Sequence, residues 1–150
     1  MLLDALLAYI HFLSMIATVS TLAVEAVLCR PGLTARGARL LSRVDIIYFV
    51  AAILVLTSGL LRVFFGLKGA AFYLNNPVFY VKIGLFLVVG LLSIAPTLQF
   101  IRWGRATLDA PEQPVAAPEV SRAARMVYIE LGLLALIPLM GVLMARGYGH

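Results

Sequence analysis

Four apolar stretches, over residues 2–29, 45–65, 78–101 and 126–144, occupy most of this 150-residue chain. Each is near or above the ~20 residues a helix needs to cross a hydrocarbon core of ~30 Å. Lipid offers no hydrogen bonds, so a continuous apolar stretch of this length satisfies its own backbone by forming a helix. The fold class this implies is all-α: a four-transmembrane-helix bundle, multi-pass, forming one integral membrane domain over residues 1–150. Hydrophobic residues make up 63% of the chain and charged residues 13%. Soluble domains carry roughly 25% charged residues, so this chain has too few to cover a water-facing surface.

The net charge is +5, and the position of that charge matters more than its size. Arg30, Arg36, Arg39 and Arg43 lie between the first two spans, and Arg102, Arg105, Arg122 and Arg125 between the last two. Arginines concentrated in the loops of one side mark that side as cytoplasmic, which puts both termini on the non-cytoplasmic face. Basic residues spent on topology argue against nucleic acid as a partner. The lone cysteine, Cys29, allows no internal disulfide. The first span lacks a basic leader and carries Glu25, so it reads as a retained helix and not as a signal peptide.

Local punctuation divides the chain further. Pro31-Gly32 ends the first helix and Thr34 is a cap for the second, with Arg36, Arg39 and Arg43 at the lipid headgroups. Between Gly66 and Pro77, the Asn75-Asn76-Pro77 run reads as an interfacial segment leading to a helix N-cap. Residues 104–121, with Pro111, Pro114 and Pro118, read as a flexible cytoplasmic linker, with Ser121 capping the last helix. Pro96 and Pro138 fall inside spans three and four, where neighbouring helices can satisfy the freed carbonyls.

Polar residues inside the spans follow helical spacing. His11, Ser14, Thr18, Thr21 and Glu25 recur at steps of three and four, as do Asp45, Tyr48, Ala52, Val55, Gly59 and Arg62, so each set forms one face. Such faces meet protein, and small residues at this spacing suit close helix contact. Ionisable groups need more than packing to explain them, because they are costly in hydrocarbon. At ~1.5 Å per residue, His11, Arg62 and Lys82 from three spans lie roughly 6–10 Å below the non-cytoplasmic surface. Glu25, Asp45 and Glu130 occupy the opposite layer, as candidates for a polar or proton path. There each of Glu25 and Glu130 requires either an arginine partner, such as Arg39, Arg43 or Arg125, or a bound proton.

A tetrahedral metal site wants several imidazole or thiolate ligands, and the chain has only His11, His150 and Cys29. A haem needs one or two axial donors and cations for its propionates, which His11, Arg62 and Lys82 can supply. Neither a Ser/His/Asp or Cys/His constellation nor a glycine-rich phosphate loop is present, so hydrolase and kinase chemistry have no residues to carry them.

The opening Leu-Leu-Asp-Ala with His11-Phe12, the run from Lys68-Gly69 through Phe72-Tyr73 to Asn76-Pro77 and Lys82, and Ser93, Pro96-Thr97, Phe100 and Trp103 resemble a family of predicted bacterial four-helix membrane proteins that carries a domain-of-unknown-function label. That resemblance implies a bacterial cytoplasmic (inner) membrane location and supplies no activity. His11 and the pair Val81-Lys82 are also similar to matching positions in the HemJ-type protoporphyrinogen oxidases, small membrane proteins that bind haem b. The resemblance implies haem b here, with His11 as axial ligand to the iron and Lys82 as the second. It implies haem binding more than oxidoreductase chemistry, since Ala26-Val27-Leu28-Cys29 stands where that family has a tryptophan and an arginine pattern. The expectation is a haem-binding, redox or porphyrin-related membrane protein. Its partners are the lipid bilayer and a membrane redox partner or a second copy of the chain. The competing expectation is a non-enzymatic bundle, either an accessory subunit of a membrane complex or a small-molecule carrier.

Overall fold

The computed structural model describes residues 1–106 and 112–149, which are almost wholly helical. Four long helices carry the fold: α1 (Leu2–Leu28), α2 (Ala35–Phe65), α4 (Pro77–Ala106) and α5 (Ala117–Ala145). A one-and-a-half-turn helix, α3 (Gly69–Leu74), lies between α2 and α4. All four long helices are long and apolar enough to cross a membrane. Their outward faces carry residues such as Ile46, Phe49, Phe64 and Leu91, each about 60% or more exposed. A soluble bundle would put polar groups there, so lipid is the surrounding that covers them.

The helices pack as a ring in which α1 touches α2 and α5, and α4 touches α2 and α5. Neighbours run antiparallel. Both α1 and α4 start at the end that holds the two termini, and they sit diagonally without touching. A buried core of Leu22, Leu41, Tyr48, Phe100, Trp103 and Val127 fills the half of the bundle nearer the arginines.

Each boundary has a local cause. Gly32, at φ 87°, turns the chain out of α1 in a conformation that glycine adopts without a Cβ clash. The Thr34 side chain then accepts a hydrogen bond from the Gly37 N–H and caps α2, as the sequence predicts. At 31 residues and ~1.5 Å each, α2 is roughly 46 Å long, so its arginine-bearing first turns extend beyond the hydrocarbon. At the other end Asn76 caps α4, its Oδ1 accepting from the Val78 N–H at 2.9 Å. The Asn76 amide also donates to the Tyr148 carbonyl at 2.9 Å, tying the C-terminal tail to the start of α4. Nearby the Asp4 carboxylate accepts from the Leu67 N–H at 3.1 Å, joining the start of α1 to the end of α2.

The expected flexible linker over 104–121 is narrower in the structure. Helix α4 continues to Ala106 and α5 begins at Ala117, with Ala116 and not Ser121 at its N-cap. Between them, an isolated antiparallel bridge pairs Thr34 with Pro114. It is closed by Ala35 N–H to Gln113 O at 3.2 Å and Val115 N–H to Leu33 O at 2.8 Å. The two arginine-rich connections are thus stitched together by backbone. Pro111 lies outside the described residues. Pro96 and Pro138 are both carried within continuous helices.

Candidate functional site

His11 sits on the buried face of α1, two turns in from the terminus-bearing end, and is 4% exposed. Its Nδ1 lies 3.1 Å from the Val55 carbonyl oxygen and 3.0 Å from Ser58 Oγ, both on α2. A carbonyl can only accept, so Nδ1 carries the proton and donates. The Ser58 hydroxyl in turn donates to the α2 backbone, to the carbonyl oxygens of Leu54 and Val55. His11 Nε2 is therefore left with its lone pair, on a ring held fixed by α2. Gly59 makes room for that ring: a Cβ built there would stand 3.2 Å from His11 Cε1.

His11 lines a hollow between the four helices together with Arg62 of α2 and Lys82 of α4. Three nitrogen-bearing side chains at similar depth thus face one space, each delivered by a different helix. The hollow measures about 760 Å³, its open mouth included. The remaining wall is apolar, with Met15, Phe79, Phe86, Ile137 and Met144 among its residues. Arg62 stacks its guanidinium over the Phe12 ring at 5.7 Å, and its Nε is buried without a hydrogen-bond partner. Lys82 and Arg62 both lie within electrostatic range of His11.

The donor set is an imidazole, a guanidinium and an amine around a largely apolar hollow. One imidazole nitrogen is free and oriented, and its other nitrogen is tied to a backbone carbonyl, the arrangement typical of a metal-ligating histidine. His11 and Lys82 line the hollow from α1 and α4, two helices that do not pack on each other. The unpartnered Arg62 Nε is a donor suited to a carboxylate.

The second layer lies toward the arginine-rich end. Glu25 of α1, Asp45 of α2 and Glu130 of α5 are 2%, 4% and 0% exposed. The Thr97 hydroxyl of α4 donates to Asp45 Oδ1 at 2.9 Å. Glu25 Oε1 and both Glu130 carboxylate oxygens are buried without a well-formed hydrogen bond, the Tyr48 hydroxyl being the polar neighbour of Glu130. Of the two expected ways to hold Glu130, an arginine or a proton, no arginine ion pair to it is seen among the described residues. The ion pairs Arg36–Glu112 and Arg102–Glu119, at 3.5 and 3.7 Å, engage surface carboxylates instead. Among the described residues no group of three or more His, Cys, Asp or Glu side chains is arranged to hold a metal ion.

Ser58 escapes a reading based on seams, because its hydroxyl looks like ordinary small-residue packing. Its i, i+3 relation to Val55 and its place one residue before Gly59 are the only signals that it faces His11.

A family model described as "Predicted membrane protein (DUF2214)" matches residues 3–149 of the chain. No curated protein matches it. No solved structure matches it either.

Proposed function

We propose that this chain, a member of the predicted membrane protein family DUF2214, binds haem b between its four helices, with His11 as the axial ligand. The observation that carries this reading is the pinned imidazole: Nδ1 is held at 3.0–3.1 Å by two α2 groups, and Nε2 is available to iron. The resemblance of His11 and Val81-Lys82 to the haem-binding HemJ-type proteins points the same way.

Each residue has a distinct task. Val55 and Ser58 fix the tautomer and the ring plane. Lys82, on the diagonal helix, would supply a second donor to the iron or a cation for a propionate. Arg62 offers an unpaired guanidinium nitrogen to a propionate. Phe79, Phe86 and Met144 make the wall of the slot apolar. When bound, haem supplies one-electron redox chemistry, and the protein's part is to set the axial donors and the dryness around them.

The arginine-rich end is read as cytoplasmic and both termini as non-cytoplasmic, in the bacterial cytoplasmic membrane, which puts the haem slot near the outer surface. The test is haem titration of protein in detergent, followed in the Soret region. His11→Ala is expected to abolish the band while the bundle stays inserted. Arg62→Ala is expected to weaken binding without removing the iron bond. A His11→Ala protein that binds haem with wild-type affinity and spectrum refutes the assignment, and the accessory-subunit or carrier reading then stands in its place.

A further inference from the structure

The haem reading makes no use of the second layer, which is the most unusual polar feature of the bundle. Glu25, Asp45 and Glu130 come from three different helices, and each interacts electrostatically with the other two. Acidic side chains that meet at a protein surface are solvated, but these three are almost wholly buried. Two of them are short of the donors a carboxylate needs. Glu130 is fully buried, with the Tyr48 hydroxyl as its polar neighbour but neither oxygen in a well-formed hydrogen bond, and Glu25 Oε1 is unpartnered. Asp45 differs, since it accepts the Thr97 hydroxyl at 2.9 Å.

Three neighbouring negative charges in a low-dielectric interior repel strongly, and an isolated ion there loses its hydration without return. Something positive must therefore occupy the cluster. No metal-holding arrangement exists among the described residues, and a proton needs only one free carboxylate oxygen. The groups facing the cluster fit that ligand. Helix α1 contributes Glu25 with the Cys29 thiol beyond it, α2 contributes Asp45 and Tyr48, α4 contributes the Thr97 and Ser93 hydroxyls, and α5 contributes Glu130.

We propose that Glu25, Asp45 and Glu130 form a proton-loading site inside the bundle, in which protons reside on the free oxygens of Glu25 and Glu130. Loading transfers a proton from water to a free oxygen of Glu25 or Glu130, and release returns it. The exchange takes place with the arginine-rich end. Helix α1 ends three residues after Glu25, whereas Val55, Phe86, Leu134 and Ile137 wall off a small apolar space on the side of the His11 hollow. The site is independent of haem.

The test uses the full chain reconstituted in phosphatidylcholine vesicles. The hydrophobic reagent dicyclohexylcarbodiimide reacts with protonated carboxyls in apolar surroundings, whereas a water-soluble carbodiimide does not reach them. Mass spectrometry at neutral pH is expected to find the hydrophobic adduct on Glu25 or Glu130. The yield should fall roughly tenfold or more toward strongly alkaline pH as the protons leave. Infrared spectra supply a second readout that needs no reagent access: a protonated-carboxyl C=O band that shifts in deuterium oxide and shrinks in Glu25→Gln and Glu130→Gln. Either signal tied to these residues supports the site. Absence of both in folded wild-type protein at neutral and mildly acidic pH overturns it.

Discussion

Gly59→Ala probes the pinned histidine directly. The new Cβ would stand 3.2 Å from His11 Cε1 and 3.6 Å from Nδ1. Carbon contacts settle at about 3.5–4.0 Å, so the ring must retreat from α2 by roughly 0.4 Å. The two hydrogen bonds that hold it are 3.1 and 3.0 Å long. Such a retreat carries both to about 3.4–3.5 Å, beyond the usual range. A hydrogen bond of this kind contributes about 0.5–1.5 kcal/mol net, so the pair is worth about 1–3 kcal/mol. Alanine also favours helix over glycine by up to about 1 kcal/mol, but that gain is the same with or without ligand and leaves affinity unchanged. Haem affinity should therefore fall by up to about 150-fold, and thermal stability in detergent should fall by whatever part of the ~1–3 kcal/mol alanine's helix preference does not offset. Gly84→Ala and Gly141→Ala are the controls, because a Cβ at either position meets nothing within 4 Å. Haem isotherms of the three variants decide the matter. Equal affinity in Gly59→Ala and the two controls would refute the argument that α2 sets the ring.

Asn76→Ala removes both the cap of α4 and the amide that holds Tyr148. It should cost about 2 kcal/mol, one from the cap and one from the second hydrogen bond, read as earlier thermal unfolding and faster carboxypeptidase trimming of the tail. Trp103→Phe deletes the 2.9 Å bond from Nε1 to Glu119 and leaves a buried gap. A loss of about 1–3 kcal/mol is expected there by thermal melting. Arg36→Ala breaks an ion pair whose side chains are 76% and 72% exposed, so melting should stay near that of wild type. Cys29 is 3% exposed and should react with a maleimide only after unfolding.

Helix number and the polar faces are legible in the sequence because both depend on spacing along one chain. The stripe from His11 to Glu25 is buried except at the half-exposed Thr21, and Thr34 caps α2 as its residue type suggests. What spacing could not supply is pairing between helices. The bridge between Thr34 and Pro114 joins residues that look like two independent loops. It ties residues 113–115 of the second connection to residues 33–35 of the first. The tie from Asn76 to Tyr148 likewise spans 72 residues. The candidate site divides in the same way. His11, Arg62 and Lys82 share a depth that the sequence reveals, but the Nδ1 contacts with Val55 and Ser58 depend on the rotation of α2 against α1. The acidic layer is readable by depth too, but which groups face Glu130 is not, because that depends on how the helices rotate against one another.

The most direct measurement of the central claim is the visible absorption spectrum of wild-type protein purified from haem-replete membranes. A Soret band near one haem per chain, abolished by His11→Ala, is the result the account predicts. Colourless wild-type protein that also fails to take up added haem would contradict it.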